Sequence, residues 1–391
     1  MKIGRQASVM LASMLLLAGC KNFFNVPGSG GCTTNCSAVS SGVFYVLNSG
    51  AGQTGIAGYS VVSGALTQLT GSPYALSSVP YAIAVAPNDS FLYVSTQSGI
   101  YLYTIGSGGV LTLASTAPVS TDFAAYSMQV DATDSWLVEA SGSGYLYAIP
   151  ISPATGKTTG AVQQVSLVGI TARQMVISPN NAEVFVALGG SGTAVIPFAA
   201  ASVDPLPASV STLIAVKAGG ASISVSVDPT NQLLYIGETG SGSGSGNTGI
   251  LRAFLFSSLS KTPTEVTGSP YASGGLTPVS ILPTADGAYL YVGNSTVSSS
   301  STGNVTGFTV TSTGTAYSLT ALGGAAVAGG TTPAGLAEDS TRSIVLLVNS
   351  GGSPDLDVYS FDTTTLGQLD SVLTSSTGTD PVGAIAVAAA P

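Results

Sequence analysis

Pro80-Tyr81-Ala82-Ile83-Ala84-Val85-Ala86-Pro87-Asn88-Asp89-Ser90-Phe91-Leu92-Tyr93-Val94 reads as a short apolar strand, a polar turn and a second strand. Variants of this phrase recur along the chain. Aligned on the second strand, its members are Val43–Val46, Phe91–Val94, Trp136–Glu139, Val184–Val186, Leu233–Ile236, Tyr289–Val292 and Val345–Val348, ending 45 to 56 residues apart. Six of them follow a first strand: Ile83–Ala86, Met128–Asp131, Met175–Ser178, Val225–Asp228, Val279–Leu282 and Ala334–Ala337. A polar loop then leads to a third strand, clearest at Gly99–Ile105, Ile250–Phe256 and Leu356–Phe361. A weaker fourth strand closes each unit.

A period of this length built from strands predicts propeller blades. The two ends of the chain strengthen the prediction. The unit from Gly42 to about Tyr74 has no first strand, and Pro381–Val387 is a first strand with nothing after it. Joined, they complete one blade and remove the open edges of a linear array. The expected fold is therefore all-β, a seven-bladed β-propeller over residues 42–391, closed by the C-terminal strand joining the N-terminal strands. A transmembrane barrel fits less well, because its strands alternate polar and apolar over about ten residues. Here the strands are shorter and often apolar on both faces, as in Ala82–Ala86.

Composition narrows the function classes. The chain has 391 residues, 50 Gly, 20 Pro, 7% charged residues, no His and a net charge of −9. It has no basic stripe for a phosphate backbone, so nucleic acid is not an expected partner. No cofactor or metal is expected.

The N-terminus reads as an address. Lys2 and Arg5 precede an apolar run, Val9–Leu17, and then Leu17-Ala18-Gly19-Cys20. The run is too short to span a bilayer, and the pattern resembles a bacterial lipoprotein signal. The resemblance implies cleavage after residue 19, lipidation of Cys20, and a chain exported and anchored in the cell envelope. Lys21 follows Cys20, which by the same resemblance favours the outer membrane and leaves the side open. Residues 20–41 have no periodicity and read as a lipidated tether. Cys32 and Cys36 within it are most simply a disulfide outside the cytoplasm, the alternative being unpaired or intermolecular thiols.

With Pro80–Val94, Gly99–Ile105 and two Gly-Ser-Pro-Tyr copies at Gly71–Tyr74 and Gly268–Tyr271, the chain resembles YVTN-repeat propellers and the related 6-phosphogluconolactonase-like, lactonase-type seven-bladed propellers. The resemblance implies the fold; such blades host enzymes, binders and scaffolds alike.

Candidate site residues come from the rim where second strands pass to third strands. The connections lengthen there at Gly237–Gly249 and Gly293–Asn304, which builds one uneven face. Arg173, at the start of an innermost strand, and Glu238, just after a second strand, are expected to face the channel mouth. Asn48, Asn294 and Asn349 stand at related positions. Solvated rim residues are the plainer alternative. Tyr93, Tyr101, Tyr103, Tyr235 and Tyr291 are read as blade packing, the Gly-Ser-Pro-Tyr copies as turns entering the next blade, and Trp136 as packed. Asp131 with Asp134, and Asp355 with Asp357, are read as turn capping rather than calcium ligands.

The expected function is a monomeric, non-catalytic binding or scaffold module for a glycan, peptide or protein. A lactonase-like hydrolase is the alternative, with Glu238 or Glu139 as base and Arg173 stabilising the oxyanion. A passive envelope component is the third reading.

Overall fold

The computed structural model describes residues 42–389, apart from 51–53, 63–64, 122–123, 169, 211, 218, 241–247, 258–259, 297–301, 324–325 and 379. The proposed signal, Cys20, Cys32 and Cys36 lie outside the described residues. Seven antiparallel sheets follow one another along the chain. Blades 1 to 6 begin with the inner strands Pro80–Val85, Ala125–Val130, Gln174–Ile177, Ala221–Val227, Pro278–Pro283 and Pro333–Glu338. Blade 7 takes its inner strand from Pro381–Ala389, paired antiparallel to Gly42–Asn48 with Val46 opposite Ile385. The ring is closed by both ends of the chain, as the repeats predict.

The core is divided among the blade interfaces. Each of seven apolar clusters draws on two neighbouring blades. Side chains alternate along a strand, so in Ile344–Asn349 Leu346 and Val348 pack towards blade 7 while Val345 and Leu347 pack towards blade 5. This explains strands that are apolar on both faces. Each such Leu or Ile contributes about 1.5–3 kcal/mol through its burial.

Hydrogen bonds between blades repeat with the ring. The Tyr45, Tyr93 and Tyr291 hydroxyls donate to the carbonyls of Gly109, Gly156 and Gly367 in the following blade, at 2.6, 2.7 and 2.6 Å. Tyr235 occupies the same strand position in blade 4, and its buried hydroxyl has no hydrogen-bond partner among the described residues. Trp136 is buried, and its indole N–H donates to Ala200 in blade 3 at 2.8 Å.

The Gly-Ser-Pro-Tyr copies differ from the expected turns into the next blade. Each interrupts an outer strand, which resumes at Tyr74–Ala75 or Tyr271–Ala272. Gly71 and Gly268 take φ of 85° and 93°, which glycine holds readily. At the break Ser72 Oγ accepts the Gly58 N–H, and Ser269 Oγ accepts that of Ala253. The tyrosine hydroxyl accepts a backbone N–H of the next blade, from Leu111 or Leu319.

Asp131 caps its turn as expected, accepting the N–H groups of Ser135 and Trp136 at 2.8 and 2.7 Å. Among the described residues no three His, Cys, Asp or Glu side chains gather as a metal site.

Candidate functional site at the channel mouth

Every blade contributes residues to the lining of the axial channel at or just before the start of its innermost strand; one position recurs in all seven. In chain order its occupants are Tyr81, Tyr126, Arg173, Ile223, Val279, Ala334 and Val382, and they line a cavity of about 390 Å3. Five of them fall where the pairing register slips by one residue, between Pro80 and Ala82, Ala125 and Ser127, Ser222 and Ser224, Pro278 and Ser280, and Pro333 and Gly335. A β-bulge leaves one residue out of the ladder and re-aims its side chain. That is how a strand otherwise packed between blades presents a single residue to the lumen.

The ring of seven is lopsided. Blades 1 to 3 supply two tyrosines and an arginine, whereas blades 4 to 7 supply Ile223, Val279, Ala334 and Val382. Tyr81 and Tyr126 meet edge to face, with ring centroids 5.5 Å apart, a favoured aromatic geometry. Tyr126 rests on Gly142, where any Cβ would lie 2.3 Å from its ring. Arg173 is exposed, held by its backbone N–H on the Ala187 carbonyl at 2.8 Å. Its guanidinium beside Gly189 makes no ion pair or hydrogen bond among the described residues.

The next residue along several inner strands completes the wall. Ser127 Oγ, Gln174 Oε1 and Ser280 Oγ accept the backbone N–H groups of Met175, Val225 and Leu336 in the following blade, at 3.0, 2.9 and 3.0 Å. At these three junctions one blade thereby satisfies an edge donor of the next.

Of the residues expected at the mouth, the structure places only Arg173 in the channel lining. Glu238 is 1% exposed and not among the lining residues. Its carboxylate accepts from Arg252 Nη1 at 2.8 Å and from the Lys217 backbone N–H at 2.9 Å. Arg252 also forks onto Glu265 through Nε and Nη2, both at 3.0 Å, and donates to the Ala215 carbonyl. Partial burial pushes the Glu265 carboxyl up, but hydrogen bonds from Arg252, Lys217 and Ser269 outweigh it and hold the group at about 2. Glu139 is likewise buried, in the middle of blade 2 opposite Met128 and Tyr147.

Asn48, Asn294 and Asn349 do occupy equivalent second-strand ends, but all three are buried. Asn48 donates to the Thr377 carbonyl and accepts from the Thr377 hydroxyl, at 2.9 and 3.0 Å. Asn294 donates to Ser273 and Asn304, and Asn349 to Pro354 and Asp357. They tie down the segments passing between strands and blades. Burial pushes the Asp357 carboxyl up despite its bonds from Asn349 and Gly330. Asp355 accepts from Ser376 and from the Thr377 N–H, fastening the entry to the closing strand. The lengthened connections are present between Thr239 and Ile250 and between Asn294 and Thr302, with 241–247 and 297–301 outside the described residues.

No protein-family model and no curated protein match the sequence. Solved structures do match the fold. A periplasmic gluconolactonase of Pseudomonas aeruginosa aligns with a TM-score of 0.68 and 17% identity, over 90% of this chain and 99% of that one. A protein of Bacteroides uniformis, provisionally named a 6-phosphogluconolactonase, aligns with a TM-score of 0.68 and 15% identity, over 89% and 100%. A Lactobacillus plantarum protein aligns at 0.62 and 17%, over 90% and 99%. The chain is thus similar in fold to lactonase-type propellers, and at these identities the likeness concerns the fold alone.

Proposed function

We propose that this protein is an extracytoplasmic propeller, anchored through a lipid on Cys20, that binds a ligand at the channel mouth on its loop-bearing face. The observation that carries the reading is the arc of Tyr81, Tyr126 and Arg173 on one wall of a cavity of about 390 Å3, within the range of small-molecule pockets. An unpaired guanidinium lining the same cavity as two aromatic rings is suited to recognition. No carboxylate lines the cavity among the described residues, and the chain has no His.

Lactone hydrolysis is the second reading, and the likeness to the P. aeruginosa gluconolactonase favours it. In that case Arg173 is the group placed to stabilise an oxyanion, and the base that activates water is not one of Glu139 or Glu238, both of which are buried away from the lining.

One experiment separates the two. Hydrolysis of a panel of sugar and aliphatic lactones is measured for the protein and for Arg173→Ala. Turnover that the variant loses makes the mouth an active site. On the binding reading, neither protein turns over any lactone above the uncatalysed rate, while ligand binding is present and depends on Arg173.

A further inference from the structure

We propose a second binding site, apart from the channel mouth: a cavity between blades 5 and 6 that takes a small neutral phenol, in the place that a tyrosine ring fills in two other blades.

The observation is a comparison of three outer strands. In blades 7, 4 and 5 the outer strand breaks and then resumes against the third strand. Before the break Leu69, Val266 and Leu322 donate their N–H groups to the carbonyls of Gly58, Ala253 and Gly307, each at 2.9 Å. Where the strand resumes, Tyr74 stands opposite Ile56, Tyr271 opposite Leu251 and Val327 opposite Val305. The three segments are thus equivalent in register. In blades 7 and 4 the returning residue is the tyrosine of Gly-Ser-Pro-Tyr, and its half-buried ring reaches the next blade. There its hydroxyl accepts the N–H of Leu111 or Leu319, at 3.2 and 3.3 Å. In blade 5 the same position carries only the isopropyl group of Val327.

A cavity of about 180 Å3 stands where the ring is missing. Its mostly apolar wall includes Tyr291, Gly307, Leu322 and Val327 from blade 5 and Gly367 and Leu369 from blade 6. The surrounding frame repeats that of blade 7. Tyr291 donates to Gly367 as Tyr45 donates to Gly109, both at 2.6 Å. A Cβ on Gly307 would press on Leu322 and Tyr291, as one on Gly58 would press on Leu69 and Tyr45. An apolar cavity of about 150 Å3 is enough to hold benzene.

The donor that would meet a phenol is kept as well. Leu369 stands opposite Phe361, as Leu111 does opposite Ile105 and Leu319 opposite Val310. The Asp362 N–H donates to the Gln368 carbonyl at 2.8 Å, as that of Gly106 does to Val110 at 2.9 Å. In an antiparallel ladder the bonded pairs alternate with unbonded ones, so the Leu369 N–H, like that of Leu111, points out of its own sheet. Val327 brings it no oxygen. A ring-sized apolar space with a backbone N–H on its wall suits a phenol, whose ring gains from burial while its oxygen accepts the hydrogen bond.

The test is calorimetric titration of the full chain with p-cresol and with toluene, which is nearly the same shape and lacks the hydroxyl. One p-cresol per chain is expected to bind and to raise the melting temperature, with toluene about fivefold weaker, the equivalent of one net hydrogen bond. Val327→Tyr restores the missing ring and is expected to raise the melting temperature by itself and to abolish p-cresol binding. Val327→Phe, which fills the space without a hydroxyl, is expected to abolish binding too and stands in should the tyrosine variant not fold. Arg173→Ala is expected to bind p-cresol unchanged. Toluene binding as tightly as p-cresol overturns the phenol assignment. Absence of p-cresol binding to the folded protein, or binding that persists in a folded Val327→Tyr or Val327→Phe variant, overturns the site. Binding lost in Arg173→Ala overturns its separation from the channel mouth.

Discussion

Arg173 and Arg252 sit in adjacent blades and show opposite uses of a scarce resource. The chain has only 9 Lys and Arg. Arg252 is 5% exposed and surrounded by Glu238, Glu265, the Ala215 carbonyl and the face of Phe254, whose centroid is 4.7 Å from the guanidinium carbon. Arg173 is exposed and lines a cavity whose far wall is aliphatic. The first arrangement consumes its donors in holding the passage from blade 3 to blade 4; the second leaves them available. In a chain this poor in charge, the saturation of a cation's hydrogen bonds distinguishes architecture from recognition better than its position along a strand.

The contrast is open to direct attack. Replacing Arg252 by Ala leaves Glu238 buried without its cation, and removing one partner of a buried pair costs about 3–5 kcal/mol. Urea denaturation is expected to show a loss of that size, with a smaller loss for the double variant Arg252→Met, Glu238→Gln. The same cluster gives a pH signature. The folded Glu265 carboxyl is held at about 2 against an ordinary 4.5, so its stabilising contribution is complete above pH 4.5 and disappears as pH falls towards 2. The stability gap between the protein and Glu265→Gln should therefore be constant from pH 5 to 7 and should close over the acid window. A gap that instead widens on acidification contradicts the assignment.

A smaller effect compares blade interfaces. Tyr93→Phe and Tyr291→Phe each remove a hydrogen bond to a glycine of the next blade, worth about 1 kcal/mol. Tyr235→Phe removes a buried hydroxyl with no partner among the described residues and is expected to be neutral or stabilising. Equal losses at all three positions would show that the Tyr235 hydroxyl is satisfied. The smallest change belongs to Arg173→Ala, expected to alter stability by no more than about 0.5 kcal/mol while abolishing Arg173-dependent binding. A loss approaching that of Arg252→Ala would erase the distinction drawn above.

Much of this fold was legible before any coordinates. The second strands are read correctly because they are sandwiched between two sheets and so appear as unbroken apolar runs such as Val345–Val348. The closing blade follows from a missing first strand at one end and a spare one at the other. The site was legible only at Arg173. Tyr81 and Tyr126 reach the lumen through bulges at Pro80–Ala82 and Ala125–Ser127, and a one-residue slip inverts the face on which a side chain falls. Asn48, Asn294, Asn349 and Glu238 stand at or next to the ends of second strands, and the repeats group them. Whether such a residue turns outward or hooks the neighbouring segment depends on what that segment offers, and the partners stand far away in sequence, as with Asn48 and Thr377. Aligning the repeats at the entry to the inner strand, to read Tyr, Tyr, Arg, Ile, Val, Ala and Val as one column, is the signal that finds the channel ring.

Sharing the core among seven interfaces has a consequence for how this molecule comes apart. A linear stack of repeats has end units with one neighbour each, from which fraying spreads inward. Here every blade has two neighbours, and losing any one strips two apolar clusters at once. Melting is therefore expected as one cooperative event. The place for it to begin is blade 7, where the junction is an antiparallel pairing between the two ends of the chain, fastened by Asn48, Asp355 and Thr377.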